Sequence, residues 1–182
     1  MIESSPHPSL SHRADQWVEP MDGVSLVSWF RQVGVVEPRH QVASGVVNDL
    51  LRRACPPDHQ VLYAPVDLDL PGGQRVEPDL VVVPRSSIGE QRLSLPVLLV
   101  VELVSPSTAV WDTVAKRAAY AEAGIEHYWL VDTRKGQERF TALSLPSGAG
   151  EYEVVAESDE EIDVHDPVAV SVPLTALFEP PR

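Results

Sequence analysis

The chain has 182 residues, 43% of them apolar and 23% charged, an ordinary balance for a globular protein with a sizeable core. Its longest apolar run, Pro96–Val101 continued by Leu103 and Val104, is too short to span a bilayer. A single cysteine excludes an internal disulfide framework and a cysteine-based zinc cluster. The net charge of −13 means that nucleic acid could be met only through a local basic surface.

That charge is uneven. Residues 151–182 hold nine acids and one base, net −8, which leaves residues 1–150 at 18 acids and 13 bases, net −5. The run Glu157, Asp159, Glu160, Glu161 and Asp163 is read as a solvated turn or edge, with screening of a basic site as the sharper alternative. The N-terminus has no apolar core of the kind a signal peptide carries, so a cytoplasmic protein is expected.

Residues 1–20 carry Ser, Pro and His without periodicity and are expected to form a loose arm; residues 21–182 are expected to form one domain. A short helix is predicted around Val24–Val33, ended by Gly34. A stronger one is predicted from about Arg39 to Ala54, with Val42, Val46, Val47, Leu50 and Leu51 on one face and Pro56-Pro57 stopping it. Val61–Leu70 alternates as a half-buried strand does, PGGQ reads as a hairpin turn, and Val76–Val83 as the returning strand.

The run from Pro96 to Val104 reads as a central strand covered on both faces. Ser105, Ser107 or Thr108 then caps a helix through Trp111–Ala123, stopped by Gly124. Residues 126–132 give another central strand, and RFTALSLP and EYEVVAE two meander strands. A last turn of helix is predicted near Leu174–Phe178.

Glu102 is the anomaly, since the eight other residues from Pro96 to Val104 are all uncharged. A carboxylate embedded there is costly unless it is paired or bound to a cation. Asp79, just before the apolar LVVV, offers a second carboxylate that an adjacent strand could bring to the same end of the sheet. Two such groups, with water completing the shell, suit Mg²⁺. Against this stand two plain readings: Pro-Asp as a turn former, and Glu102 held by an arginine.

Asp112, Lys116 and Tyr120 recur every four residues and share one helix face. Lys116 is one of only two lysines against twelve arginines. It could polarise a nucleophilic water, or simply pair with Asp112 at the surface. Tyr128 and Trp129 read as core, Cys55 as a small buried hydrophobe, and Arg52-Arg53 as either phosphate contacts or partners of the helix dipole.

Taken in order, Glu77-Pro78-Asp79, Glu102-Leu103-Val104-Ser105-Pro106-Ser107, Asp112, Lys116, Tyr120, Gly124 and Tyr128-Trp129-Leu130-Val131-Asp132 resemble the Uma-type restriction-endonuclease family of the PD-(D/E)XK nuclease superfamily. The resemblance covers roughly residues 39–145, and His40-Gln41 is similar to the family's entry into its first core helix. It implies an α/β, restriction-endonuclease-like fold, a mixed central β-sheet flanked by α-helices.

The resemblance further implies a Mg²⁺-dependent endonuclease hydrolysing DNA phosphodiester bonds, with Mn²⁺ as a substitute metal. Asp79 and Glu102, with the Leu103 backbone carbonyl, would hold the metal; Lys116 would be the catalytic lysine; His40, Asp112 and Tyr120 would support them. Val104 stands where the family superclass places its lysine, and Lys116 takes that role from the following helix. The family's early acidic hairpin has only loose counterparts here, Glu19, Asp22-Gly23 or Glu37. The competing reading is an inactive nucleic-acid-binding or regulatory module on the same fold. DNA is the expected partner, no membrane is expected, and a homodimer is left open.

Overall fold

The computed structural model describes residues 37–106 and 114–179. The expected N-terminal arm and the Val24–Val33 helix lie outside those residues. So do Glu19, Asp22, Gly23, Ser107, Thr108, Trp111 and Asp112.

Helix α1 spans Pro38–Ala54. Proline at its first position costs nothing, because that N–H would have no helical partner. Pro56 ends it by pushing Cys55 into extended backbone. Ala43, Val47 and Leu51, spaced by four, form the buried stripe. Val42 is exposed instead, which shifts the apolar face one residue from the sequence reading.

Six strands form the main sheet in the order β1-β4-β5-β6-β7-β8. They are β1 (His59–Tyr63), β4 (Leu80–Pro84), β5 (Leu99–Val104), β6 (His127–Asp132), β7 (Arg139–Ser144) and β8 (Glu153–Ser158). Only β5 and β6 run parallel; the other neighbours are antiparallel. A parallel neighbour requires a crossover, and the segment carrying helix α2 (Lys116–Glu122) supplies it.

The predicted hairpin over 61–83 is corrected in its middle. Strand β1 ends at Tyr63, before Pro65, and β4 begins only after Pro78. Between them β2 (Leu68–Asp69) and β3 (Arg75–Val76) make a separate two-stranded ladder around the PGG turn. Prolines have no N–H for a ladder, so alternation alone overestimated both strands.

Apolar residues of the sheet face two ways. Leu80, Val82, Leu99, Val101, Leu103, Trp129 and Val131 pack with α1 on one side. Val81, Val83, Val100 and Tyr128 pack with Tyr120 and Ala121 of α2 on the other. Coverage on both faces explains why β5 is buried at every position, and Tyr128 and Trp129 are core as expected.

The acidic segment contains structure that the sequence reading lacked. Strand β9 (Glu161–Val164) pairs antiparallel with β10 (Val170–Pro173), and Ile162 and Val164 enter the α1-side core. The acids themselves stay exposed, and the last helical turn at Leu174–Phe178 is of 3-10 type. No helix among the described residues is long and apolar enough to cross a membrane.

Candidate active site

Residues from four elements meet where β5 ends. The register Leu80↔Val101 between β4 and β5, continued by one residue, sets Asp79 opposite Glu102. Asp79 sits just outside β4, and its side chain does what the next backbone carbonyl would do. The Leu103 amide donates to Asp79 Oδ2 at 2.9 Å, while the Asp79 carbonyl accepts from the Ala64 amide at 2.9 Å. The Pro-Asp step therefore joins β1, β4 and β5 at their common end. Its carboxylate is only 2% exposed.

Glu102 is fully buried, on the α2 side of the sheet. Both of its oxygens are engaged. Lys116 Nζ donates to Oε2 at 2.7 Å, and the Tyr120 hydroxyl donates to Oε1 at 2.7 Å. Lys116, 4% exposed, also donates to the Glu77 carbonyl at 3.1 Å, so one ammonium joins the Glu-Pro-Asp segment to β5. Charge-assisted bonds of this kind offset the desolvation of a buried ion pair. The reading of Glu102 as held by an arginine is corrected: the partner is lysine.

Helix α2 is built to deliver these two side chains. Lys116 and Tyr120 lie four residues apart and so face the sheet together. The helix closes on Gly124, whose φ of 72° is open to glycine at little cost, with the Gly124 amide bonded to the Ala121 carbonyl and the Ile125 amide to the Tyr120 carbonyl. The Tyr120 ring packs edge-on against Tyr128, with centroids 5.3 Å apart, which fixes its hydroxyl against Glu102.

From the other side of the sheet, the first turn of α1 brings His40 Nε2 to 3.5 Å from Asp79 Oδ2. His40 Nδ1 is buried and has no hydrogen-bond partner among the described residues. Arg39 anchors this turn: it donates to the Thr133 carbonyl at 2.8 Å, pairs with Glu138, and stacks its guanidinium 3.8 Å from the Phe178 ring centre.

Of the residues singled out from sequence, Asp79, Glu102, Leu103, Lys116, Tyr120 and His40 thus lie within one network. Leu103 joins it through its amide. Asp112 lies outside the described residues, so its pairing with Lys116 is not at issue in this geometry. Glu37 stands exposed just before α1, and its side chain makes no capping bond there. The Glu77 carbonyl was not foreseen, because a backbone acceptor leaves no mark in a sequence.

The two carboxylates are hard oxygen donors, the type Mg²⁺ takes, and Mg²⁺ accepts two carboxylates with water in the remaining positions. Among the described residues there is no group of three or more His, Cys, Asp and Glu side chains that could hold a metal ion. The donor set therefore fits a hydrated Mg²⁺ and not an all-protein cage.

A mixed six-stranded sheet with one parallel pair, helices on both faces and acids at the end of its central strands is a restriction-endonuclease-like α/β fold. Residues 29–175 match the model of the Uma2 family, described as "Putative restriction endonuclease", and the chain belongs to that family. The fold is similar to the crystal structure of a putative nuclease belonging to DUF820 from Anabaena variabilis ATCC 29413. The TM-score is 0.60 at 16% identity, over 80% of this chain and 83% of that one. At such identity the likeness is one of fold. No curated protein matches the chain.

Proposed function

We propose that the chain is a divalent-metal-dependent nuclease that hydrolyses phosphodiester bonds in DNA. The observation that carries this reading is the joining of Asp79, Glu102 and Lys116 through one hydrogen-bond network at the end of an otherwise apolar sheet. Burying so many charged groups has no structural return that well-packed apolar residues would not match. Family membership gives the reaction class, and the donor set favours Mg²⁺, with Mn²⁺ as a substitute.

In this reading Asp79 and Glu102 would hold the metal, joined by the Leu103 carbonyl. The metal would supply Lewis-acid stabilisation of charge developing on the phosphoryl oxygens. The chain's own groups do the rest. The Leu103 amide and His40 orient the Asp79 carboxylate. Tyr120 fixes one oxygen of Glu102. Lys116, within bonding distance of the other oxygen, orients the attacking water and offsets negative charge at the phosphate.

The test is cleavage of supercoiled plasmid, branched and single-stranded DNA with Mg²⁺ or Mn²⁺, beside calorimetry with Mn²⁺. Asp79→Ala and Glu102→Ala are each expected to abolish cleavage and to remove the Mn²⁺ site. Undiminished metal binding in either variant would falsify the ligand assignment. The loose counterparts of the family's early acidic hairpin favour a second reading, a nucleic-acid-binding or regulatory module that does not cut. That reading takes over if cleavage is equal in wild type and Asp79→Ala, since such cleavage would come from a contaminant.

A further inference from the structure

At the opposite end of α1 lies a cleft of about 220 Å³. Arg52 of the last turn of α1, Cys55 just after it, His59 and Gln60 of β1, and Arg85 following β4 all line it. The register His59↔Pro84 brings these segments together, and the Arg85 amide bonds the Asp58 carbonyl at 3.1 Å. Arg52 is twelve residues beyond His40, about 18 Å along the helix at 1.5 Å per residue. The cleft is therefore distinct from the carboxylate site.

The arginines of this acidic chain are not distributed evenly between paired and unpaired. Arg39, Arg75, Arg92, Arg134 and Arg139 each face a carboxylate, and Arg117 donates to the Tyr152 carbonyl. Among the described residues, only Arg52, Arg53 and Arg85 have no such partner, and two of the three, Arg52 and Arg85, line the cleft. Of the carboxylates close in sequence, Asp58 bonds His59 Nδ1 at 2.9 Å, and Asp49, one helical turn before Arg52, forms no ion pair with it among the described residues. Arg52 and Arg85 are both exposed, so water solvates them in the free chain and both remain open to an anion from outside.

We propose that this cleft is a phosphate-binding site, with Arg52 and Arg85 as its two guanidinium forks and His59 as a third lining group. Two planar forks and an imidazole lining one cleft from three segments suit a tetrahedral oxyanion better than a two-oxygen carboxylate. The helix C-terminus nearby opposes an anion, but its partial charge is smaller than either guanidinium. At about 220 Å³ the cleft has room for more than an inorganic ion and can take a phosphate carried by a larger molecule. A nucleic-acid strand is the source consistent with the proposed nuclease reading, on which that last step rests; the anion site itself does not depend on it. The phosphate is either a backbone phosphodiester or a terminal phosphomonoester.

Cys55, the chain's only cysteine, lines the cleft and serves as a reporter. Its alkylation by neutral iodoacetamide would be followed in the full chain with EDTA present, so that Asp79 and Glu102 hold no metal. The probes are inorganic phosphate and a short oligonucleotide with or without a 5′-phosphate. Protection by both oligonucleotides identifies backbone phosphate. Protection by phosphate and the phosphorylated oligonucleotide alone identifies a terminal phosphate.

Arg52→Gln with Arg85→Gln is expected to lose the protection and to weaken oligonucleotide binding on the order of tenfold or more, with a shallower salt dependence. Arg75→Gln, a surface arginine of equal charge, should change neither. The single variants Arg52→Gln and Arg85→Gln serve if the double variant does not fold, and circular dichroism reports that. Protection of Cys55 by none of the probes, or undiminished binding in folded arginine variants, overturns the proposal. Either result leaves the carboxylate site and its metal test untouched.

Discussion

Lys116 shows how much one buried cation decides. It holds Glu102 and the Glu77 carbonyl together, so its removal leaves a carboxylate sealed from water with one partner fewer. Lys116→Ala is expected to cost roughly 3–5 kcal/mol in urea unfolding, the scale for breaking a buried pair. If Lys116 also serves the attacking water, the same variant should lose on the order of a hundredfold or more in cleavage at temperatures where it remains folded, while still binding Mn²⁺. Lys116→Arg should recover stability in part and cleavage little, because guanidinium is broader and far harder to deprotonate. A loss of stability with full cleavage would assign the lysine to structure alone. Tyr120→Phe separates the second oxygen of Glu102: the lost hydroxyl should lower stability by about 1–3 kcal/mol, read as a shift in thermal midpoint.

At the scale of elements, β9 and β10 close the α1 side of the core although half of β9 is acidic. Glu161 and Asp163 point to solvent while Ile162 and Val164 are buried, a period of two in four residues. Ile162→Ala should therefore cost about 2–5 kcal/mol, the range for emptying a packed aliphatic site. Asp163→Asn, one position along, should stay within roughly 0.5 kcal/mol. Equal and small effects on denaturant midpoint would mean that β9 merely rests on the surface. The long helix α1 was legible because seventeen residues repeat their apolar stripe several times and prolines mark both ends. Two-residue strands such as β2 and β3 repeat nothing, and only their mutual pairing defines them.

For the whole molecule the governing quantity is charge. Glu157, Asp159, Glu160 and Glu161 are exposed, as a solvated edge requires, and they add to a chain already at −13. Changing these acids to Gln or Asn should leave fold and Mn²⁺ affinity unchanged. Affinity for DNA should rise modestly at low salt, since repulsion between like charges acts over about a Debye length and is screened as salt increases. A salt titration by fluorescence anisotropy checks this, and no change at low ionic strength would remove any screening role. In the proposed anion site, Arg52 and Arg85 would supply the local basic surface that composition alone could only require.

The sequence by itself determined the class of fold and the chemistry on offer. A charged residue inside an apolar strand, a Pro-Asp step before another, and a lysine four residues from a tyrosine are all local patterns, and local patterns survive in one dimension. Only the tertiary structure decided who meets whom. That Lys116 is the partner of Glu102, that Asp79 completes the β5 ladder through the Leu103 amide, and that Arg85 comes beside Arg52 all follow from strand register and a helical crossover. Those contacts span from 14 to 33 residues of sequence. They arise from burying two faces of one sheet at once, a condition on the whole chain that no window of it contains.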